Sequence, residues 1–362
     1  MACTYGGNSD MYGLGIRIAF YLQWFGTILA SWIARTEVPG LRLANSFFIG
    51  ATFLALIIQA SYSAPTIRAV DIYITLLLTY GSYYYYVPVY LWRIVTMCNP
   101  FWDPSRWPRV PTTVLYRRLN LILLVAVTCF QMWFWTNGVK ALGSGGDCQE
   151  YGFFFTQVPL HADLFIAVNI FFAVALLICC TASFAMDVGL VIPPRWMRKQ
   201  ERKFDRELER YDALGKDYPW RRELQFMQTV SNVTIATVVV VAVELTIQWN
   251  SLSEVNDVST AGQTIPVVIA GGLLAHVLYV WVNPDHDRRI QRALHPHRHN
   301  KPRGPGSSTT TTTTSSSGTD PGGRPIRGFH APLHDYIPPD RPFHPPMAGR
   351  PPPPPPAVAA AP

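Results

Sequence analysis

The fold this sequence predicts is all-α: an integral membrane bundle of seven transmembrane helices with a disordered C-terminal tail. Three observations carry the expectation. Of 362 residues 49% are hydrophobic and only 15% charged, whereas soluble domains carry roughly a quarter charged residues. Seven stretches are long and apolar enough to cross a hydrocarbon core of about 30 Å, which takes about 20 helical residues. Lys and Arg then alternate between the connections: none before the first stretch, then two, one, five, one, ten and none, with ten in the tail. Positive residues gather on the cytoplasmic side of a membrane, so the alternation predicts an outside N-terminus and a cytoplasmic C-terminus.

In chain order, the stretches cover about 14–34, 44–62, 70–92, 119–139, 162–186, 230–248 and 264–282. No cationic segment with a small-residue cleavage site precedes the first, which is therefore expected to serve as an uncleaved insertion signal. The third carries Tyr80, Tyr83, Tyr84, Tyr85, Tyr86 and Tyr90 around Pro88. Pro88 frees the carbonyl of Tyr84 and predicts a kink, and the tyrosines suit an aromatic belt or, less simply, a ligand-lining stripe. Ala51 and Ala55 in the second stretch, and Gly271 and Ala275 in the seventh, are small residues at four-residue spacing, which permits close helix approach.

Charged groups at membrane depth are costly and point to function. Arg17, Asp71, Asp163 and Glu244 all fall in the outer half of their stretches. In one bundle they would share an outward cavity with Gln23, Gln59, Asn169 and Gln248, as a ligand or proton site. The plainer reading puts Arg17, Asp71 and Asp163 at the wet interface, with Glu244 paired to Arg17 or a tyrosine. His276 lies near the middle of the last stretch and suits an interhelical hydrogen bond. Without a second such histidine, neither paired haem ligands nor a His/Asp metal cluster is supported; no cofactor and no metal site is expected.

Between the fifth and sixth stretches, residues 189–228 form a basic loop opening on Pro193 and Pro194. Residues 196–211 have helical character, with a stripe of Met197, Phe204, Leu208 and Tyr211. With Trp196, the cations Arg195, Arg198 and Lys199 suit contact with anionic lipid; a solvated helix extending the bundle is the other reading. The proline-rich 93–118 connection, with Trp102 and Trp107, is expected on the same membrane surface. Cys3 and Cys148 are the two cysteines expected on the oxidising side, making a disulfide between them possible. From 284 to 362 the tail holds 19 of the 31 prolines and a Ser/Thr run, a composition that cannot offset its ordering entropy. Its His295, His297 and His299 make only a weak metal site, and Pro351–Pro356 suits an SH3 or WW domain.

Tyr12-Gly-Leu-Gly-Ile-Arg17 with Tyr21-Leu-Gln-Trp24, and later Ala261-Gly-Gln-Thr-Ile-Pro266, resemble a family of polytopic membrane proteins of filamentous ascomycete fungi. The resemblance covers most of residues 1–283 and not the tail. It implies one integral membrane domain and supplies no catalytic residue. No nucleophile, metal or phosphate-cradling motif is visible, so an enzyme is not expected, nor a nucleic-acid partner. Seven stretches, an outside N-terminus and a large basic third cytoplasmic loop parallel a receptor or sensor, by count alone. A transporter or channel using Glu244, and a non-catalytic organising protein, are the alternatives; no internal repeat supports the transporter. The last stretch holds no lysine, which excludes a retinal Schiff base there.

Overall fold

The computed structural model describes residues 5–62, 67–107, 114–142, 149–190, 192–214, 218–258 and 260–283. Cys3, Cys148, the tail histidines and the proline run lie outside them. In chain order the helices are α1 (Ser9–Tyr12), α2 (Leu14–Ile33), α3 (Val38–Tyr62), α4 (Ala69–Gly81), α5 (Tyr86–Val95), α6 (Val114–Trp133), α7 (Val139–Leu142), α8 (Asp163–Val188), α9 (Arg195–Ala213), α10 (Arg221–Trp249) and α11 (Ala261–Val282). Short strands β1 (Tyr5–Gly6), β2 (Tyr151–Phe153), β3 (Gln157–Pro159) and β4 (Leu252–Ser253) lie between them. β1 pairs with β4 in parallel, and β2 with β3 as a hairpin. A π-helical turn, Phe134–Gly138, joins α6 to α7.

Six helices among the described residues are long and apolar enough to cross a membrane, namely α2, α3, α6 continued into α7, α8, α10 and α11. Their outer faces expose large apolar side chains, such as Phe47, Leu54, Ile122, Phe171, Ile178, Val268 and Trp281. Such a surface belongs against lipid, where a helix satisfies its own backbone groups. These are the helices of a multi-pass membrane protein.

The third stretch differs from its expectation. The kink expected at Pro88 is a break: α4 ends at Gly81, Tyr83–Tyr85 form a 3-10 turn, and α5 resumes at Tyr86. A proline inside a helix removes one hydrogen bond and crowds the carbonyl four residues back, which is Tyr84, in the middle of that turn. All thirteen residues of α4 are buried, so this short helix is the axis of the bundle.

Neighbour pairs fix the directions of the rods. α2 and α11 run parallel: Gly15 lies against Gln263 and Gly26 against Leu274, in both cases 248 positions on. α2 is antiparallel to α10, since Arg17 meets Glu244 and Trp32 meets Thr229. α4 is antiparallel to α6, with Tyr73 on Trp135 and Tyr80 on Thr128. α8 follows α4 and α5 in parallel across the break, from Tyr73–Phe165 to Tyr90–Ser183.

The expected small-residue contacts are not the ones made. Ala51, Ala55 and Ala275 are exposed, and a Cβ at Gly271 would meet nothing within 4 Å. Close approach instead occurs between α2 and α11 at Gly15, where an added Cβ would lie 2.3 Å from the Gln263 backbone oxygen, and just before α2 at Gly13, where it would lie 2.5 Å from the Gln263 side chain. Spacing marks a stripe as smooth without saying whether protein or lipid covers it.

Candidate functional site

At the end of the bundle where the chain begins, two polar networks lie side by side. Arg17 and Tyr21 are one turn apart on α2 and so share a face. Arg17 is 0% exposed, and its guanidinium donates to a Glu244 carboxylate oxygen, to the Val255 carbonyl at 3.0 Å and to Asn256 Oδ1 at 2.8 Å. Tyr21 donates to the other Glu244 oxygen at 2.9 Å. The turn after α10, with positive φ at Ser251 and Glu254, folds residues 252–256 back so that the Val255 carbonyl also takes the Leu14 N–H at 2.9 Å. A charge without water is thus neutralised and hydrogen-bonded. The Glu244 side chain keeps 44% exposure.

The second network caps α4. Asp71 takes a hydrogen bond from the Tyr12 hydroxyl at 2.5 Å and from the Arg68 N–H at 3.2 Å. Glu150 takes the Val70 N–H at 3.0 Å. Two buried carboxylates therefore face the positive end of one buried helix. Burial pushes the Glu150 carboxyl up to about 7; the Val70 N–H moderates the rise, Asp71 adds to it, and Arg68 opposes it. Glu150 begins the β2–β3 hairpin, which is also clamped by Asn250: the Tyr151 N–H donates to its Oδ1 at 2.9 Å, and its Nδ2 donates to the Tyr151 carbonyl at 2.8 Å.

At the opposite end three segments build a platform. Trp107 stacks on Tyr218 at 5.9 Å and Phe101 meets Phe204 edge-on at 5.3 Å. Leu208 and Leu224 complete the cluster. Arg106 holds Glu201 through two hydrogen bonds, at 2.8 and 3.0 Å, and Arg93 at the end of α5 pairs with Asp103 at 3.0 Å. Burial alone would raise the Asp103 carboxyl, but Arg93, Ser105 and Arg106 together hold it below the usual carboxylate range.

Comparison with protein-family models, curated proteins and solved structures finds no match.

The expected single cavity is two networks. Arg17 and Glu244 pair directly, and Asp71 belongs to the neighbouring network with Tyr12. Asp163 stands exposed in the first turn of α8, outside both. Gln59 joins through Asn8 at 2.5 Å. Asn169 spends its amide on its own helix, on the Phe165 carbonyl; Gln23 is buried and Gln248 exposed. His276 is half-exposed and pairs at 3.2 Å with Glu37, in the 3-10 turn between α2 and α3. The apolar stripe of α9 also finds protein and not lipid, because Phe204 and Leu208 are the side chains that fill the platform. Trp107 is buried there too, whereas Trp102 packs on Trp220 with both half-exposed. Glu150 and Asn250 escape a reading of charges within spans, since both lie in connections. Among the described residues no three His, Cys, Asp or Glu side chains come together as a metal site.

Proposed function

We propose that this protein crosses its membrane seven times, with the N-terminus outside, and acts as a receptor-like or sensor protein whose central rod links an outer polar cap to a cytoplasmic platform. The observation that carries this reading is the anchoring of α4 and α5. The start of α4 is held by Asp71 and Glu150, the end of α5 is held by Arg93 on Asp103, and the rod is broken between them at Tyr83–Tyr85. An element with a buried first half, fixed ends and an interruption between them has two ends that one rearrangement can serve.

Counting α4 and α5 as one crossing agrees with the parallel run of α2 and α11, since an even number of crossings would set the first and last rods antiparallel. The platform end carries the two most basic connections, which suits the cytoplasm. Glu244 as a transport group has less support, because Arg17 already neutralises it. The resemblance to the fungal family stays a proposal; the two segments that carry it meet in the fold, Gly13 and Gly15 lying against Gln263.

At the platform end, Leu190 and Ile192 are 76% and 73% exposed, and Arg195, Trp196 and Lys199 are exposed close by in the chain. With Arg198 they suit an anionic leaflet, and the double variant Arg195→Glu, Lys199→Glu should retain less co-purified anionic lipid. The proline run keeps its reading as an SH3 or WW ligand.

Linkage between the ends is tested by hydrogen exchange on the full chain in nanodiscs. Arg93→Gln, at the platform, should speed exchange of amides in 149–160 at the far end. Unchanged protection there, with local loosening around Asp103 alone, would remove the linked-rod reading.

A further inference from the structure

We infer that the β2–β3 hairpin is a proton-operated latch: an external proton taken up at Glu150 keeps the hairpin docked on the start of α4, and loss of that proton releases it. That the proton comes from outside, and what it does beyond the hairpin, rest on the reading proposed above; the latch itself rests on the packing around Glu150. Asp71 and Glu150 are 5% and 9% exposed and both face the start of α4, with Arg68 as the nearby cation. Two carboxylates in one buried place oppose each other's ionisation. Asp71 is the better supplied as an anion, since it takes the Tyr12 hydroxyl and the Arg68 N–H, whereas Glu150 takes the Val70 N–H. The proton therefore belongs to Glu150, whose carbonyl oxygen still accepts that N–H when the group is neutral.

The hairpin has a second attachment about which it can move. Asn250, just after α10, holds both backbone groups of Tyr151, Phe153 stacks on Trp249 at 6.0 Å, and a Cβ at Gly152 would lie 2.8 Å from the Phe165 ring of α8. These contacts carry no charge. Glu150 is the charged tie to α4, and its neighbour Gln149 is already exposed, so a small rotation at the first hairpin residues brings an ionised carboxylate to water. The other titratable groups around it have separate places: Tyr12 serves Asp71, the Tyr73 hydroxyl bonds the Phe153 backbone, the Tyr151 hydroxyl bonds Gln149, and His161 and Asp163, after the hairpin, are exposed. Burial holds the docked Glu150 carboxyl at about 7, against its ordinary 4.5. Between those values undocking releases a proton, so it grows easier as pH rises through the window.

Infrared spectroscopy and hydrogen exchange on the full chain in nanodiscs test the latch. A carboxyl stretch that titrates between pH ~6 and ~8.5 should be present in the parent and missing from Glu150→Gln. Protection of amides 150–160, corrected for the intrinsic exchange rate, should fall by about tenfold per pH unit from pH ~5 towards ~7 and level off above. Glu150→Gln should hold that protection constant, and His161→Gln should leave the parent profile unchanged. Asp71→Asn removes the like charge and should move the fall to lower pH. Circular dichroism reports folding; should Glu150→Gln fail to fold, the carboxyl band of the parent and the His161→Gln profile decide. A parent without a titrating carboxyl band, a profile that persists in folded Glu150→Gln, or one abolished by His161→Gln would each overturn the latch. A hairpin that titrates while amides 99–107 at the platform do not would keep the latch and remove the linked-rod reading.

Discussion

Arg17 shows how a single side chain is accommodated where water is absent. Three acceptors from two later segments enclose it, so deleting it leaves a carboxylate and a carbonyl short of a donor. Arg17→Met is expected to cost about 2–3 kcal/mol, below the range for a fully buried pair because Glu244 retains one exposed side; denaturant or thermal unfolding in nanodiscs measures it. Glu150 makes a different prediction. Its folded carboxyl titrates near 7, above its ordinary 4.5, so between those values the folded chain holds a proton that the unfolded chain releases. Stability therefore falls as pH rises through that window, by roughly 3 kcal/mol in all, and levels off above it. Glu150→Gln keeps an acceptor for the Val70 N–H and should flatten the profile, leaving the protein more stable than the parent above pH ~7. A Tm that still declines over the window in the variant would assign the effect to a group other than Glu150. Pairing of Arg17 with Glu244 was legible in the sequence, since each is a formal charge inside an apolar stretch. Glu150 was not, because nothing local marks an acid in a connection as the cap of a helix 80 positions earlier.

Among the elements, α2 and α11 depend on backbone contact. At Gly15 an added Cβ would lie 2.3 Å from the Gln263 backbone oxygen, and a backbone atom cannot swing aside as a side-chain tip can. Gly15→Ala should thus cost at least about 3 kcal/mol, the upper end for overpacking, whereas Gly26→Ala, with its nearest neighbour at 3.6 Å, should be nearly neutral. Equal melting points for the two variants would refute the tight crossing. Pro88 announced the interruption of the third stretch, but its form as a 3-10 turn depends on the surrounding helices. For α9, the stripe of Phe204 and Leu208 was readable as an apolar face; its partners Trp107 and Tyr218 lie in separate connections, and periodicity carries no information about such distant pairing. Small residues misled for a related reason, since a smooth face fits lipid as well as another helix.

For the molecule as a whole, composition and hydrophobic stretches sufficed to expect a multi-pass bundle, and six of the stretches correspond to helices of membrane length. The remaining one is too short in either half to qualify by length, as α4 has 13 residues and α5 ten. Direction is the more informative property. With seven crossings, tags placed before Tyr5 and after Pro362 should lie on opposite sides of the membrane, the first open to antibody on intact cells and the second only after permeabilisation. Both tags on one side would require that α4 and α5 turn back within the bilayer.

The partners of Arg17 also set an order of events during biosynthesis. All three of its acceptors lie at or beyond residue 244, and α11, which packs closely on α2, is the last helix among the described residues. At about 5–20 residues per second, the ribosome needs tens of seconds between delivering this guanidinium and delivering what neutralises it. A nascent chain halted before residue 244 carries an uncompensated cation in its first hydrophobic segment, a mark by which membrane quality control can tell unfinished molecules from complete ones.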